Sequence, residues 1–279
     1  MRKIFFILSF LCFGITSGYA QRYDFGAWLG GADYFGDLNT YTNFQFTNPA
    51  GGVFSRVNFD DRISFRINVN AAHVWADDAY SHNYYEYTRN LGFASNIYEL
   101  SGQFEFNFIP FTNFSTNAYT EKHKYSPYVF VGFGAFHFNP TAHYNGTKVY
   151  LQPIGTEGQG FPEYPDLKKY HRTSSAIIFG GGIKWRLIKN IGLQAEGGVR
   201  KTSTDYLDDV SGVYPDPIIM LHEGGVQAAF LSDPSVEVTG EPVGVTGKMR
   251  GDNHKNDDYF FFGLGIIYTL KPYKCPFQK

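Results

Sequence analysis

Cysteine is almost absent from this 279-residue chain, which has two, Cys12 and Cys275. Cys12 falls within an N-terminal export leader, so a single cysteine survives processing, and one cysteine cannot close an internal bridge. A disulfide scaffold is therefore excluded. Long hydrophobic runs are missing as well. Gly, Asn or a charge interrupts every candidate beyond the leader, short of the roughly 20 apolar residues that a spanning helix needs. Charged residues make up only 18% and the formal net charge is −2, so nothing steers the chain to nucleic acid.

The leader has the three parts of a secretory signal. Arg2 and Lys3 make a basic start, Ile4 to Phe13 an apolar core, and Gly18-Tyr19-Ala20 a small-residue cleavage site before Gln21. Leu11 is bulky where a lipid-attachment site needs a small residue, so Cys12 is not expected to carry lipid. The reading is a signal peptide at 1–20, a barrel at 21–270 and a periplasmic tail at 271–279. Loss of Arg2 and Lys3 leaves 22 basic and 26 acidic residues, a net charge near −4.

What the chain has in abundance is Phe (28), Tyr (21) and Gly (31), at a mean hydropathy of −0.27. Such a composition suits an all-β barrel, with aromatic rings at the membrane interfaces and glycines where strands curve. The pattern is clearest from Ile177 to Arg200. Ile177, Phe179, Ile183, Trp185, Leu187, Ile191, Leu193, Ala195 and Val199 alternate with Gly180, Gly182, Lys184, Arg186, Gly192, Gln194, Glu196 and Arg200. Successive side chains of a strand face opposite sides, so one face is apolar and the other charged or glycine. No helix is expected to cover the apolar face.

Similar alternation predicts strands from Tyr23, around Val53 to Phe59, from Ile63 to Ala72, from Tyr98 to Phe108, from Tyr128 to Phe138, and from Asp258 to Leu270. With the two above, that makes eight. Asp60-Asp61, Pro110–Lys124 and Lys189-Asn190 then connect strands at one end, and four longer loops at the other. This is the asymmetry of short periplasmic turns and long outer loops. Asn139–Arg172 and Thr204–Asp257 read as the two longest loops. Within them Val149–Leu151, Val226–Leu231 and Val236–Val245 leave open a ten-strand barrel or a hairpin above the rim. The prediction is a transmembrane antiparallel β-barrel, in which closure pairs every backbone group away from lipid. Inside it, Arg56, Arg66, Lys184, Arg186 and Arg200 can meet Glu99, Glu105 and Glu196. An eight-strand interior is about filled by side chains, so a plugged ion-pair lumen is expected rather than an open pore.

Signals for chemistry are weak. His222-Glu223 opens like a zinc-protease helix but lacks the second His. Ser203, Asp205, Asp208, Asp209 and His222 have no spacing specific to a catalytic site, so no enzyme and no cofactor is expected. Asp205, Asp208 and Asp209 suit either a calcium cluster or, the favoured reading, acids that cap their own turn. Pro110–Lys124 reads as a contact surface or a solvated turn. Cys275 reads as a free thiol or one paired with another chain.

The run Arg200-Lys201-Thr202-Ser203-Thr204-Asp205-Tyr206-Leu207-Asp208-Asp209-Val210-Ser211 resembles the signature of the PorG-like family. These are outer-membrane barrel components of the type IX secretion system of Bacteroidetes-type bacteria. Gly30 to Leu38, the Gly180-Gly181-Gly182 strand and Lys274-Cys275-Pro276 are similar to further parts of that family, while Ser203 stands where an aromatic is expected. The resemblance implies a non-catalytic subunit that ties a periplasmic ring of lipoprotein and partner subunit to the outer membrane, near the export channel. It places the ring at the short turns and the tail with Cys275, and the Asp205–Asp209 run on the outer side. The rival expectation is a general small barrel of the adhesin or OmpA-like kind.

Overall fold

The computed structural model describes residues 22–40, 44–113 and 123–270. The leader and the tail with Cys275 lie outside the described residues, as does the middle of the Pro110–Lys124 link. Ten strands form: β1 (Arg22–Phe35), β2 (Asn48–Asn58), β3 (Ile63–Asp77), β4 (Gly92–Asn107), β5 (Tyr125–His137), β6 (Thr141–Tyr144), β7 (Thr147–Tyr150), β8 (Thr173–Ile188), β9 (Ile191–Thr202) and β10 (Asp258–Thr269). Eight of them close into a ring. Each of β1 to β4 pairs with its successor, β5 pairs with β8, β8 with β9, β9 with β10, and β10 returns to β1, all antiparallel. The result is a closed eight-strand transmembrane β-barrel, which leaves no strand edge to be satisfied by lipid.

Period-two alternation becomes an inside and an outside. Trp28 is buried while Leu29 beside it is 78% exposed, and Leu264 on β10 is 70% exposed. Phe104, Val131, Phe133, Ile177 and Ile266 continue this apolar outer belt. Near the turn end Tyr23, Phe106, Tyr125, Trp185 and Tyr268 stand exposed from five strands, the aromatic girdle of a membrane interface. The glycines on the inward face of β8 and β9 make room for a ring. A Cβ on Gly180 or Gly198 would come within 2.5 or 2.7 Å of Phe130.

The turn end is tight. Asp60 Oδ1 accepts from the backbone of Arg62 and Ile63 at 2.6 and 2.7 Å, and Asn190 takes a left-handed φ of 73° in the Lys189-Asn190 hairpin. The described start of the Pro110–Lys124 link is more than a solvated turn. Phe111, Thr112 and Asn113 are buried, and Asn113 Nδ2 donates to Thr269 Oγ1 at 3.1 Å. This segment folds across the mouth of the barrel.

The loop end departs further from expectation. Strands β3 and β4 run on to Asp77 and begin at Gly92, beyond the bounds that alternation set. Asn139–Arg172 contains the β6–β7 hairpin, turned by Asn145 and Gly146 at φ 49° and 74°. It touches the barrel through Thr141 opposite Ala94 and stands above the rim, so Val149 and Tyr150 are strand but not wall. Four short or broken helices correct the expectation of none: α1 (Tyr84–Arg89), α2 (Leu151–Ile154), α3 (Pro217–Ser232) and α4 (Val236–Thr239). Val226–Leu231 and the start of Val236–Val245 are helix, not extra strands. The local reason is a cap: Asp216 accepts from the backbone of Ile218 at 2.8 Å and Pro217 occupies the first turn. Gly225 at φ 74° breaks α3 in the middle. A barrel closed at eight offers these segments no edge to join.

Candidate functional site

Two places gather polar side chains against their ordinary preference for water: the lumen and the cap over its loop end. In the lumen, alternation on six strands aims charges at a common axis. Glu105 on β4 is the hub. Its carboxylate lies 2.9 Å from Arg56 Nε, 3.0 Å from Arg66 Nε and 2.6 Å from Lys184 Nζ. The two Nε approaches are ion contacts rather than aligned hydrogen bonds, whereas the lysine bond is direct. Arg66 reaches on to Glu196 at 2.7 Å, and Tyr128 donates to the same Glu196 oxygen. Arg56 lies 3.3 Å from Asp24.

Higher in the lumen, Glu99 receives Arg200 Nε at 3.2 Å, Tyr259 hydroxyl at 2.8 Å and Asn70 Nδ2 at 2.8 Å. Arg200 also lies 4.3 Å from the ring centre of Phe261, and Lys184 Nζ the same distance from Tyr128. Arg56, Arg66, Lys184 and Arg200 thus balance Asp24, Glu99, Glu105 and Glu196. Buried ions persist only when paired and hydrogen-bonded, and these are. Filled and neutral, such an interior holds ions in place and offers neither space nor a field of one sign for conduction.

The cap is built by the loop residues 36–40, 44–47, 78–91, 138–172 and 203–257. Its centre is Tyr34 at the end of β1, whose hydroxyl lies 2.5 Å from Asp208 Oδ2 and 3.0 Å from Asp257 Oδ1. Asp208 Oδ1 accepts from Val210 N and Asp257 Oδ2 from Leu207 N, both at 2.9 Å. Burial, then the nearby Asp37, pushes the Asp208 carboxyl well above the usual range. Burial, then Asp208 and Asp205, does the same to Asp257. Asp209 turns the other way. At φ 69° it accepts from Thr156 Oγ1 at 2.5 Å and Tyr170 hydroxyl at 2.6 Å, and burial lifts it to about 7 against the pull of Arg250. Arg250 is buried with Glu157 at 3.1 Å and also donates to the Asp209 carbonyl at 2.8 Å, stitching the 138–172 loop to the 203–257 loop. Arg89 grips Asp78 at 2.7 Å and the Asp37 carbonyl at 2.9 Å. Beside this packing, a cavity of about 530 Å³ opens between Trp75, Phe93, Leu151, Phe230, Asp208 and Arg250.

The model of the family described as Domain of unknown function (DUF6089) matches residues 2–154, more than half of the chain. The chain belongs to the DUF6089 family. No curated protein matches it. Among solved structures this DUF6089 chain is similar to the N-terminal β-barrel domain of Pseudomonas aeruginosa OprF, at 10% identity, with 89% of this chain and 97% of that one covered and a TM-score of 0.36. It is also similar to Ail, the attachment invasion locus protein of Yersinia pestis, at 8% identity, 90% and 99% coverage and a TM-score of 0.41. Neisserial surface protein A gives 9% identity, 90% and 97% coverage and a TM-score of 0.41.

In this DUF6089 barrel the expected lumen residues Arg66, Glu99, Glu105, Lys184 and Glu196 do come together. Arg186 does not join them. It lies at the turn end, just before the β-bulge between Arg186 and Ile188, and donates to the His123 carbonyl at 3.1 Å. The signature run divides. Arg200 points into the lumen, while Lys201 is exposed and pairs with Asp258. Tyr206 stacks on Tyr170 with ring centres 4.6 Å apart, and Leu207 is buried. Asp208 and Asp209 diverge, and Asp205 is half-buried. Among the described residues no group of three or more His, Cys, Asp or Glu side chains gathers as a metal site would need. Asp208, bonded to Val210, does cap its own turn. His222 is exposed and pairs with Glu223 at 2.7 Å.

Sequence reasoning missed Tyr34, Asp78, Arg89, Glu157, Tyr170, Arg250 and Asp257. Each owes its role to a partner far along the chain, and nothing in its immediate neighbours marks it. The Asn145-Gly146 hairpin and the Asp216-Pro217 helix cap were local signals that could have been read.

Proposed function

We propose that this barrel is a non-catalytic outer-membrane subunit of a type IX protein secretion machinery in a Bacteroidetes-type bacterium. In this role it links a periplasmic ring, made by a lipoprotein and its partner subunit, to the membrane and to the export channel. The observation that carries the reading is the filled, charge-balanced lumen. A barrel of this kind acts through its surfaces rather than as a conduit. The resemblance of Arg200–Ser211 to the PorG-like signature supplies the particular machinery. In this reading the compact turns and the Pro110–Lys124 link face the periplasm, and Cys275 in the tail is available to a partner there.

Deletion of the gene tests the proposal. Expected is loss of secreted cargo from the medium, with cargo retained in the periplasm and restored by the wild-type chain. Undiminished secretion in the deletion strain refutes it. A second reading, a small barrel that binds ligands through its loops, is favoured by the cavity beside Trp75 and Phe230. It predicts intact secretion together with loss of a surface-binding phenotype.

A further inference from the structure

We propose that Asp208 and Asp257, joined on the hydroxyl of Tyr34, form a proton-held latch that fastens the β9–β10 loop to the barrel rim and releases it as pH rises. The argument begins with hydrogen counting. A phenol has one proton, and Asp208 Oδ2 at 2.5 Å takes it. Asp208 Oδ1 and Asp257 Oδ2 are already used by Val210 N and Leu207 N. Asp257 Oδ1 is then left 3.0 Å from a phenol oxygen that has no second proton to give. The contact is attractive only if Asp257 carries a proton and donates it. With both acids ionised, lone pairs face each other in a site from which water is excluded, since Tyr34, Asp208 and Asp257 are 0%, 1% and 1% exposed.

No nearby cation relieves this crowding. Asp37 from the β1–β2 loop and Asp205 from the β9–β10 loop both press on the pair, and burial lifts these two to about 6 and about 7. Asp252 and Glu157 add negative charge to Asp37 and Asp205. The cations at hand are committed elsewhere, Arg89 to Asp78 and Arg250 to Glu157. Gly36 closes the remaining side, where a Cβ would stand 2.0 Å from Asp257 Oδ1 and 2.1 Å from the Tyr34 hydroxyl.

The latch joins the end of β1, the signature turn and the entry to β10, so its release loosens 203–257 where its two ends meet the rim, while Arg250 and Asp209 still tie it to the 138–172 loop. The sign follows from linkage. The fastened cap holds a proton that the released loop gives up, because both carboxyls have their proton affinity raised above that of a solvated acid. Stability of the cap is constant below the ordinary carboxylate range. It falls as pH rises from there to the raised value and then levels off. Within that window each proton released raises the open population about tenfold per pH unit.

The test is proteinase K digestion of the full barrel in detergent micelles with EDTA, from pH 4 to pH 9. Fragments are assigned by mass, and wild type is compared with Asp257→Asn and Asp208→Asn at each pH, so that the protease's own profile cancels. The amide supplies permanently the hydrogen that the acid holds only when protonated. Expected are equal cleavage rates within 203–257 at pH 4, at the ordinary carboxylate range, and a wild-type rate at least tenfold above Asp257→Asn at pH 9. Heat-modifiable migration on gels reports that the barrel is folded. If Asp257→Asn yields no folded barrel, Asp208→Asn provides the comparison. A ratio that stays within twofold across the range overturns the latch. Closure of the wild-type loop at pH 9 by millimolar calcium overturns the proton as its fastener.

Discussion

Glu105 stands at the meeting point of three cations, so Glu105→Gln is the substitution that strains the lumen most. The side chain keeps its shape and its capacity to hydrogen-bond, and only the charge is removed. Arg56 retains Asp24 at 3.3 Å and Arg66 retains Glu196 at 2.7 Å. Lys184 is left with Asn107 Oδ1 at 3.0 Å in place of an anion at 2.6 Å. Removing one partner of a buried ion pair costs about 3–5 kcal/mol, because the other charge stays buried without compensation. With three cations affected, the upper end applies, about 5 kcal/mol. The assay is urea unfolding of the barrel in lipid vesicles, followed by tryptophan fluorescence and gel mobility. A second arm removes the stranded cation as well. Glu105→Gln combined with Lys184→Met is expected to recover about 2 kcal/mol of the loss, a coupling within the range of contacting residues. A single-variant loss below about 1 kcal/mol, the level of an exposed pair, would refute the reasoning that this lumen is dry and tightly paired.

Further predictions concern the wall and the turn end. Leu264→Arg, in mid-strand on the outer face of β10, is expected to destabilise the folded barrel in vesicles by about 2–4 kcal/mol, and Leu270→Arg at the strand end by about 1 kcal/mol or less. Equal effects in the same urea titration would contradict a membrane belt centred on β10. Asn190 combines a left-handed backbone with a bond from its Nδ2 to the Thr269 carbonyl at 2.7 Å. Asn190→Gly loses the bond alone, about 1 kcal/mol. Asn190→Ala adds the strain of a left-handed non-glycine residue, for about 2 kcal/mol in all. The reverse order in unfolding midpoints would show that the turn relaxes.

Much of the wall could be read from the chain, and the reason is periodicity. Where one face meets lipid and the other a polar lumen, each residue declares its side by its own chemistry, as Ile67 and Val69 do against Arg66, Asn68 and Asn70. The ends of β3 and β4 escaped because beyond the membrane the outward residues no longer need to be apolar. Asn96 and His73, outward and hydrogen-bonded to each other at 2.8 Å, break the pattern without breaking the strand. Helix α3 escaped for the opposite reason. Its two halves, kinked at Gly225, are too short to show a helical period against the surrounding apolar residues.

The sequence by itself therefore determined the facing of the wall strands and the charges destined for the lumen, while eight wall strands rather than ten were decided by the structure. Facing follows from a local rule, the period of a pleated strand. Tertiary structure alone decided which carboxylate meets which cation, since a lumen pair such as Arg66–Glu196 spans 130 residues and depends on barrel stagger. It also decided that Asp208 and Asp209, neighbours in the chain, serve different partners. A left-handed φ at Asp209 separates their directions, and Tyr34 and Tyr170 arrive from elements 174 and 39 residues away to receive them.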